Sequence, residues 1–230
     1  MSYRFAIYWA PPRGAALAEI GEAWLGRSAE SDGSLARPHL PGFGANELEA
    51  ATAEPRRYGL HATLKPPFRL AEGGSVAALE AALDDFARRQ PSVIAPALQL
   101  KRIGRFLALV PGARTRALDT LAAAVVAAFD AFRAPPDAAE LARRHAAGLS
   151  PPQAQNLARW GYPYVMEEFR FHVTVTGAIE TALADRLTPA LETLFAPVLT
   201  LPLEITELAL FAEPAPRAPF RLIRRAPLAG

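Results

Sequence analysis

Two short segments carry the residue types of acid–base chemistry in the same order. Tyr58-Gly-Leu-His61-Ala-Thr63-Leu-Lys65 and Phe169-Arg-Phe-His172-Val-Thr174-Val-Thr176 each hold a His-x-Thr inside an apolar, β-branched or aromatic stretch. The chain has only four histidines, and two of them stand in this motif. Residues i and i+2 of a strand share a face, so each segment projects an imidazole and a hydroxyl side by side. One such pair can hold a phosphate oxygen and move a proton. Two pairs brought face to face supply an acid and a base. The same alternation puts Lys65 beside His61 and Thr63, and puts Arg170 and Thr176 beside His172 and Thr174, as further phosphate contacts. Tyr58 and Phe171 fall on the opposite faces and read as core. A single strand of this kind reads best as an amphipathic strand with its polar face in solvent. Two of them, each with a cation two residues from one end of its motif, read as a site.

The chemistry that fits is phosphoryl transfer at a diester. Hydrolysis needs a base for the attacking water and an acid for the leaving alkoxide, and histidine serves as either near neutral pH. Hydroxyls and cations hold the non-bridging oxygens as charge develops. None of these steps calls for a metal or another cofactor. Two histidines without a clear third ligand or an HExxH-like spacing make a poor zinc site. No Gly-x-Ser-x-Gly occurs, and the chain has no cysteine for a thiol nucleophile, a thiolate metal site or a disulfide.

The elements that position the motifs follow from the periodicity. Tyr3 to Trp9 reads as a first strand and Ala15 to Leu25 as a helix stopped at Gly26. Residues 27 to 57 read as a long loop, rich in Gly, Pro and Ser up to Gly44. The first motif strand, Tyr58 to Leu64, is closed by Pro66-Pro67. Then come a helix over Ser75 to Arg89, strands over Leu98 to Ile103 and Phe106 to Val110, and a helix over Arg114 to Phe132. The second motif strand, Glu168 to Thr176, is followed by a helix over Thr181 to Phe195 and apolar runs over Leu201 to Phe211 and Phe220 to Arg224. Strand–helix–strand–strand thus follows each His-x-Thr, a duplication in pattern. Between the copies lies a helical insert over residues 135 to 164, with a capping box at Ser150-Pro-Pro-Gln153 and an aromatic cluster of Trp160, Tyr162 and Tyr164. It is expected to border the cleft, while His39 and His145 are read as solvated.

Length and composition suit one domain over residues 1 to 230, with ample capacity for a core. No apolar run approaches a membrane span, and the first ten residues lack the basic and apolar regions of a signal peptide. A cytoplasmic protein is expected. The pI near 9.2 is no sign of nucleic-acid binding. Net charge is only +2, and arginine hardly titrates below pH 12, so a small arginine excess moves the pI far.

Paired His-x-Thr or His-x-Ser motifs on pseudo-symmetric strands resemble the 2H phosphoesterase superfamily. Within it, Tyr58-Gly-Leu-His-Ala-Thr-Leu-Lys-Pro-Pro-Phe-Arg-Leu70 and Trp160-Gly-Tyr-Pro-Tyr-Val-Met-Glu-Glu-Phe-Arg-Phe-His-Val-Thr-Val-Thr-Gly177 look like the DUF1045 group, whose members are called phosphonate metabolism proteins. The resemblance covers most of the chain. It implies an α+β fold of two pseudo-symmetric lobes, with antiparallel sheets around a central cleft and helices outside. It implies metal-independent catalysis on a cyclic or linear phosphodiester, and the substrate expected here is a small cyclic phosphate, such as a nucleoside 2′,3′-cyclic phosphate or a ribose cyclic phosphate, with an RNA end as a related partner. His61, His172, Thr63 and Thr174 take the family's catalytic positions, and Tyr164 and Arg105 become cleft residues through the resemblance alone. The phosphonate association comes from the family name. The rival reading is a module that binds nucleotide or RNA ends without turnover.

Overall fold

A computed structural model describes residues 4–146 and 148–230, with the side chains of residues 139, 143 and 145 outside that description. The solvated position expected for His145 therefore lies outside the described residues. The chain opens with β1 (Arg4–Trp9) and α1 (Ala16–Leu25), which ends where Gly26 takes a left-handed conformation at φ 70°. A helix, α2 (Ala45–Tyr58), occupies what reads as loop, and β2 (Ala62–Arg69) follows it. Next are α3 (Val76–Ala87), capped by the Ser75 hydroxyl, the short β3 (Val93–Ala95), and the hairpin of β4 (Leu98–Ile103) and β5 (Phe106–Pro111). After α4 (Arg116–Ala128) the insert forms α5 (Ala138–His145) and α6 (Pro151–Trp160). The capping box read at Ser150 and Gln153 is present. The chain closes with β6 (Val173–Thr174), α7 (Thr181–Leu199), β7 (Leu203–Ile205), β8 (Glu207–Glu213) and β9 (Arg221–Pro227). Among the described residues, no helix is long and apolar enough to cross a membrane.

The fold is α+β, and its strand pairings are antiparallel. Seven strands form one sheet in the order β4-β5-β6-β2-β1-β8-β9, while β3 pairs with β7 in a small second sheet. The two copies of the repeat are exchanged. The β4–β5 hairpin follows the first motif but pairs with β6 of the second, and the β8–β9 hairpin follows the second motif but joins the side of β1 and β2. The helices follow the same exchange: α3 packs on β8 and β9, and α7 packs on β4 and β5. One face of the sheet is covered by α1, α3, α4 and α7 over a continuous core that includes Ile7, Leu64, Leu109, Val173, Val175 and Leu210. The other face carries a smaller cluster around Tyr8, Phe211 and Phe220.

The first motif strand departs from its expected course in two ways. Tyr58 ends α2 instead of opening the strand. Pro66-Pro67 do not close it, because β2 absorbs them as a bulge between the pairs Ile7↔Lys65 and Phe5↔Phe68. Bulges accept proline because the extra residue makes no ladder hydrogen bond. A second extra residue, Leu64, enters between the pairs Tyr8↔Thr63 and Ile7↔Lys65. One extra residue reverses the alternation. Lys65 therefore shares the core face with Ile7 and is turned away from Thr63.

That bulge corrects the role of Lys65. It is 1 % exposed, its ammonium donates to the Val126 carbonyl at 3.1 Å, and Asp130 lies at 3.6 Å. Burial lowers its pKa to about 8, against the opposing pull of Asp130. Lys65 is thus a core strut and not a phosphate ligand. Truncation should act accordingly. Lys65→Ala is expected to cost about 2 kcal/mol or more through the cavity and the orphaned carbonyl, read as a lower denaturant midpoint. The kcat/KM of the folded fraction should hold. Unchanged stability with weakened substrate affinity would put the ammonium back in the cleft.

Candidate active site

The register between the motif strands builds the site. Ala62 of β2 pairs with Val173 of β6, and both are buried on the core face, at 1 % and 0 % exposure. One residue to either side, on the opposite face, His61 stands across from Thr174 and Thr63 across from His172. Direct cross-strand neighbours lie about 5 Å apart and diagonal ones about 7–8 Å. The two imidazoles therefore occupy one diagonal of a square and the two hydroxyls the other, a spacing that admits a phosphoryl group between them.

Each imidazole is fixed in the same way. His61 Nδ1 lies 2.8 Å from the carbonyl of Gly59, and His172 Nδ1 lies 2.8 Å from the carbonyl of Arg170. A carbonyl only accepts, so Nδ1 carries the hydrogen in both rings and Nε2 is left for chemistry. At His61 the Thr63 hydroxyl is 3.3 Å from Nε2. Gly59 is required for this bend. Its φ is 80°, and a Cβ there would lie 2.5 Å from the Cβ of Ala29.

The square opens into a cleft of about 380 Å³, lined by His61, Thr63, His172 and Thr174 together with Tyr8, Tyr58 and Phe106. A neighbouring chamber of about 590 Å³ shares Thr63, Phe106, Tyr162 and His172 with it and continues to Arg105, Tyr164 and Arg170. Those three expected contacts thus border the second chamber and stand apart from the square. Arg105 also pairs at the surface with Glu180, Tyr164 is 48 % exposed, and the Arg170 carbonyl is the one that holds His172. Thr176 borders the cleft, and its hydroxyl oxygen accepts the Leu107 N–H at 2.9 Å. That makes it a strand anchor, with its O–H still available to donate. Phe171 is buried as read, at 6 % exposure. The insert contributes Arg144 and Tyr162 to the first chamber and Gln153, Tyr162 and Tyr164 to the second.

Sequence reasoning passed over three aromatic residues of the site. Tyr8 stacks on His61 with ring centroids 3.9 Å apart and an interplanar angle of 25°. Its position was open to reading, because Arg4, Ala6 and Tyr8 alternate along the first strand. Tyr58 was assigned to the core, yet it lines the cleft 5.9 Å from the His61 ring, because it belongs to a helix end. Phe106 lies 5.9 Å from the His172 ring.

The two imidazoles sit in different surroundings. His61 is packed among Tyr8, Tyr58 and Phe211, and burial lowers its pKa to about 4 despite the Gly59 hydrogen bond, with nearby His172 adding to the shift. It is therefore neutral at physiological pH. Burial also raises the Tyr8 phenol well above its usual range and raises Tyr162, so both remain hydroxyl donors.

The model of a protein family of unknown function, DUF1045, matches residues 63–221. The chain belongs to that family. Two curated relatives are both named "Ribose 1,5-bisphosphate phosphokinase PhnN". One, from Janthinobacterium sp. (strain Marseille), is 38% identical over 231 residues, with 99% of this chain and 51% of the relative aligned. The other, from Laribacter hongkongensis (strain HLHK9), is 39% identical over 224 residues, with 96% and 51% aligned. The DUF1045 chain thus spans about half the length of the curated relatives it matches. Among solved structures, a phosphoesterase aligns over 100% of both chains at 17% identity and a TM-score of 0.45. E. coli LigT complexed with NADP+ aligns over 100% of this chain and 99% of its own at 18% identity and a TM-score of 0.45.

The state of His61 is open to measurement. An NMR titration should find its midpoint near pH 4, and Tyr8→Ala, which uncovers the ring, should move it back toward 6.5. The sign for stability follows. Between pH 6.5 and 4 the unfolded chain takes up a proton at this position and the folded chain does not, so stability falls as pH falls through that window. His61→Gln should flatten that part of the curve. An ordinary midpoint in the wild type would mean that water reaches the ring freely.

Proposed function

We propose that this chain is a 2H-type phosphodiesterase that opens a small cyclic phosphate without a metal ion. The observation that carries the reading is the square of two histidines and two threonines on adjacent strands, each imidazole held through Nδ1 by its own backbone. The resemblance of both motifs to the 2H superfamily supports it.

In the hydrolytic direction His61 is the base. Its neutral Nε2 takes a proton from water as the water oxygen bonds to phosphorus. The P–O bond to one ring oxygen breaks, and His172 Nε2 gives its proton to that oxygen. The products are a phosphate monoester and a free hydroxyl. Thr63 and Thr174 donate to the non-bridging oxygens and offset the charge that builds there. Reversal of the reaction exchanges the two roles.

The relatives' name points to the sugar. It names ribose 1,5-bisphosphate phosphokinase, while the Gly-x-x-x-x-Gly-Lys-[Ser/Thr] phosphate loop does not occur in this sequence, whose two lysines, Lys65 and Lys101, each follow a leucine. The name therefore brings no kinase residue to this chain. It brings a phosphorylated ribose, which favours a ribose cyclic phosphate over a nucleoside 2′,3′-cyclic phosphate. Phosphonate metabolism is the setting that the family's designation suggests.

The test is a panel of cyclic phosphates assayed for ring opening, with a pH–rate profile for any that turn over. Activity should rise as pH increases through about 4, where His61 loses its proton and becomes able to act as the base. His61→Ala and His172→Ala should each lose about 10²-fold or more, since acid–base catalysis typically supplies about 10²–10⁴. The double variant should lose far less than the product of the two. Thr63→Ala and Thr174→Ala should be milder, at about tenfold, for one hydrogen bond among several. Chelation should leave the rate unchanged. Loss of activity with EDTA and its return with zinc or manganese would make the reaction metal-assisted. Full activity in the double variant would place the site elsewhere, and binding without turnover across the panel would leave a nucleotide-end binding module.

A further inference from the structure

The square of histidines and threonines accounts for one phosphoryl group, but the cleft continues along β1 to a second set of groups with unused hydrogen-bonding capacity. Tyr8 is 1 % exposed and lines the cleft, yet its hydroxyl has no hydrogen-bond partner among the described residues. Among the described residues the fully enclosed side-chain polar atoms without a partner are Trp9 Nε1 and Arg56 Nε, and the Tyr8 hydroxyl is not enclosed in that way. The little of Tyr8 that is accessible therefore includes its hydroxyl, open to the cleft. A buried donor left unmatched costs stability, so the arrangement suits a ligand acceptor.

Four residues earlier on the same face of β1 stands Arg4, which lines the same cleft. Its Nε is taken by Glu213, which is 1 % exposed and is also held by Arg57. This clamp fixes the guanidinium and leaves its two terminal nitrogens without a protein partner among the described residues. Directly across the strand, Arg4 pairs with Arg69. Arg69 is itself paired with Asp137 at 3.2 Å, so the terminal nitrogens of Arg4 face the cleft beside a neighbour whose charge is already met. From the insert, Arg144 lies 4.7 Å over the Tyr162 ring and also lines the cleft. Its Nε and Nη2 bond to Glu140, which leaves Nη1 for another acceptor. The acidic residue that lines this chamber, Glu54, sits at the other end beside Gly177.

We propose that Arg4, Tyr8 and Arg144 bind a second phosphate of the substrate, a monoester at the far end of the sugar from the cyclic diester. The substrate class is then a phosphorylated pentose cyclic phosphate, such as the 1,2-cyclic phosphate of ribose 5-phosphate. Hydrolysis of its P–O2 bond leaves a bisphosphate with its phosphates at C1 and C5. The catalytic square selects the diester and the arginine end selects the monoester, so an unphosphorylated nucleoside cyclic phosphate fills only half of the site. This inference rests on the phosphodiesterase reading for its chemistry and on separate residues for its specificity.

The experiment has two arms. The first compares kcat/KM for ribose 5-phosphate 1,2-cyclic phosphate with that for the same ester lacking the 5-phosphate. A preference of about 100-fold or more is expected, consistent with charge-assisted hydrogen bonds to a phosphate. Arg144→Gln and Arg4→Gln should each cut that ratio about tenfold, and Arg4→Lys should restore part of it. Arg144 lies on the insert, so its variant informs even if loss of Arg4 from the Glu213 clamp impairs folding. The second arm measures calorimetric binding of ribose 5-phosphate to the His61→Ala/His172→Ala protein, which should persist and should weaken when Arg144→Gln is added. Equal kcat/KM for the two esters, or a ratio untouched by both arginine variants, would overturn the subsite and leave the phosphodiesterase standing. Arginine-dependent binding of ribose 5-phosphate with no ring opening of any ester would uphold the subsite and overturn the chemistry. Neither binding nor ring opening would overturn both.

Discussion

The pairing of Ala62 with Val173 is the contact on which the site depends. It is a short ladder, because β6 has only two residues, and hydrogen bonds between strands are too few there to fix the register. Burial fixes it instead. Ala62, Leu64, Val173 and Val175 are each no more than 1 % exposed, and a slip of β6 by one residue would turn Val173 and Val175 outward and His172 inward. Three bonds from outside the strand hold the second motif in place. The Trp24 indole donates to the Val175 carbonyl at 2.7 Å, the Gly177 N–H donates to the Ala51 carbonyl at 2.7 Å, and the Thr176 hydroxyl takes the Leu107 N–H. Residues of α1, α2 and β5 thus stabilise a strand that its own ladder would hold weakly.

The exchange of hairpins between the two copies has a consequence for folding. Each motif strand finds part of its sheet in the other copy, and each long helix packs on the other copy's hairpin. Neither copy can bury its apolar face alone. The contacts that join them are distant in sequence, so their closure entropy is met only when both copies are present. The cleft lies at this junction, where a polar square can be exposed on one face while the core is completed on the other.

Much of this was legible in the sequence. The helices over Ala16–Leu25, Val76–Ala87, Arg116–Ala128 and Thr181–Leu199 follow apolar spacing, and the order of elements is duplicated, with one short strand more in each copy, β3 and β7, than the expected strand–helix–strand–strand. The motif pairs could be read because two-residue periodicity holds from His61 to Thr63 and from His172 to Thr174. Beyond those positions it fails in both halves. A bulge at Leu64 carries Lys65 into the core. In the second half the Val175 and Thr176 N–H groups share the Leu107 carbonyl, at 3.0 and 3.2 Å. A bulge is set by how a strand meets its partner, and no property of the single segment announces it. The helix at Ala45–Tyr58 was missed for another reason. Its mean hydropathy is low, only Leu48, Ala51, Thr52 and Pro55 are buried, and an internal proline reads as a stop. That miss also sent Tyr58 to the wrong side of the protein.

The asymmetry between the two histidines comes from what surrounds the square, since the square itself is symmetric. Both rings use the same backbone bond two residues upstream. His61 rests on an aromatic floor that begins with Tyr8 and continues through Phe211, with the Tyr58–Phe220 stack at its edge. Beside His172, among the described residues, lies the ring of Phe106, and its chamber opens toward exposed Tyr164 and Arg105. An apolar floor disfavours the charged imidazolium, so the ring above it is held neutral. The ring on the open side keeps access to protons from water. A duplicated motif therefore acquires two different environments without any change in its own residues, because β1 and β8 pack beneath one copy and not beneath the other.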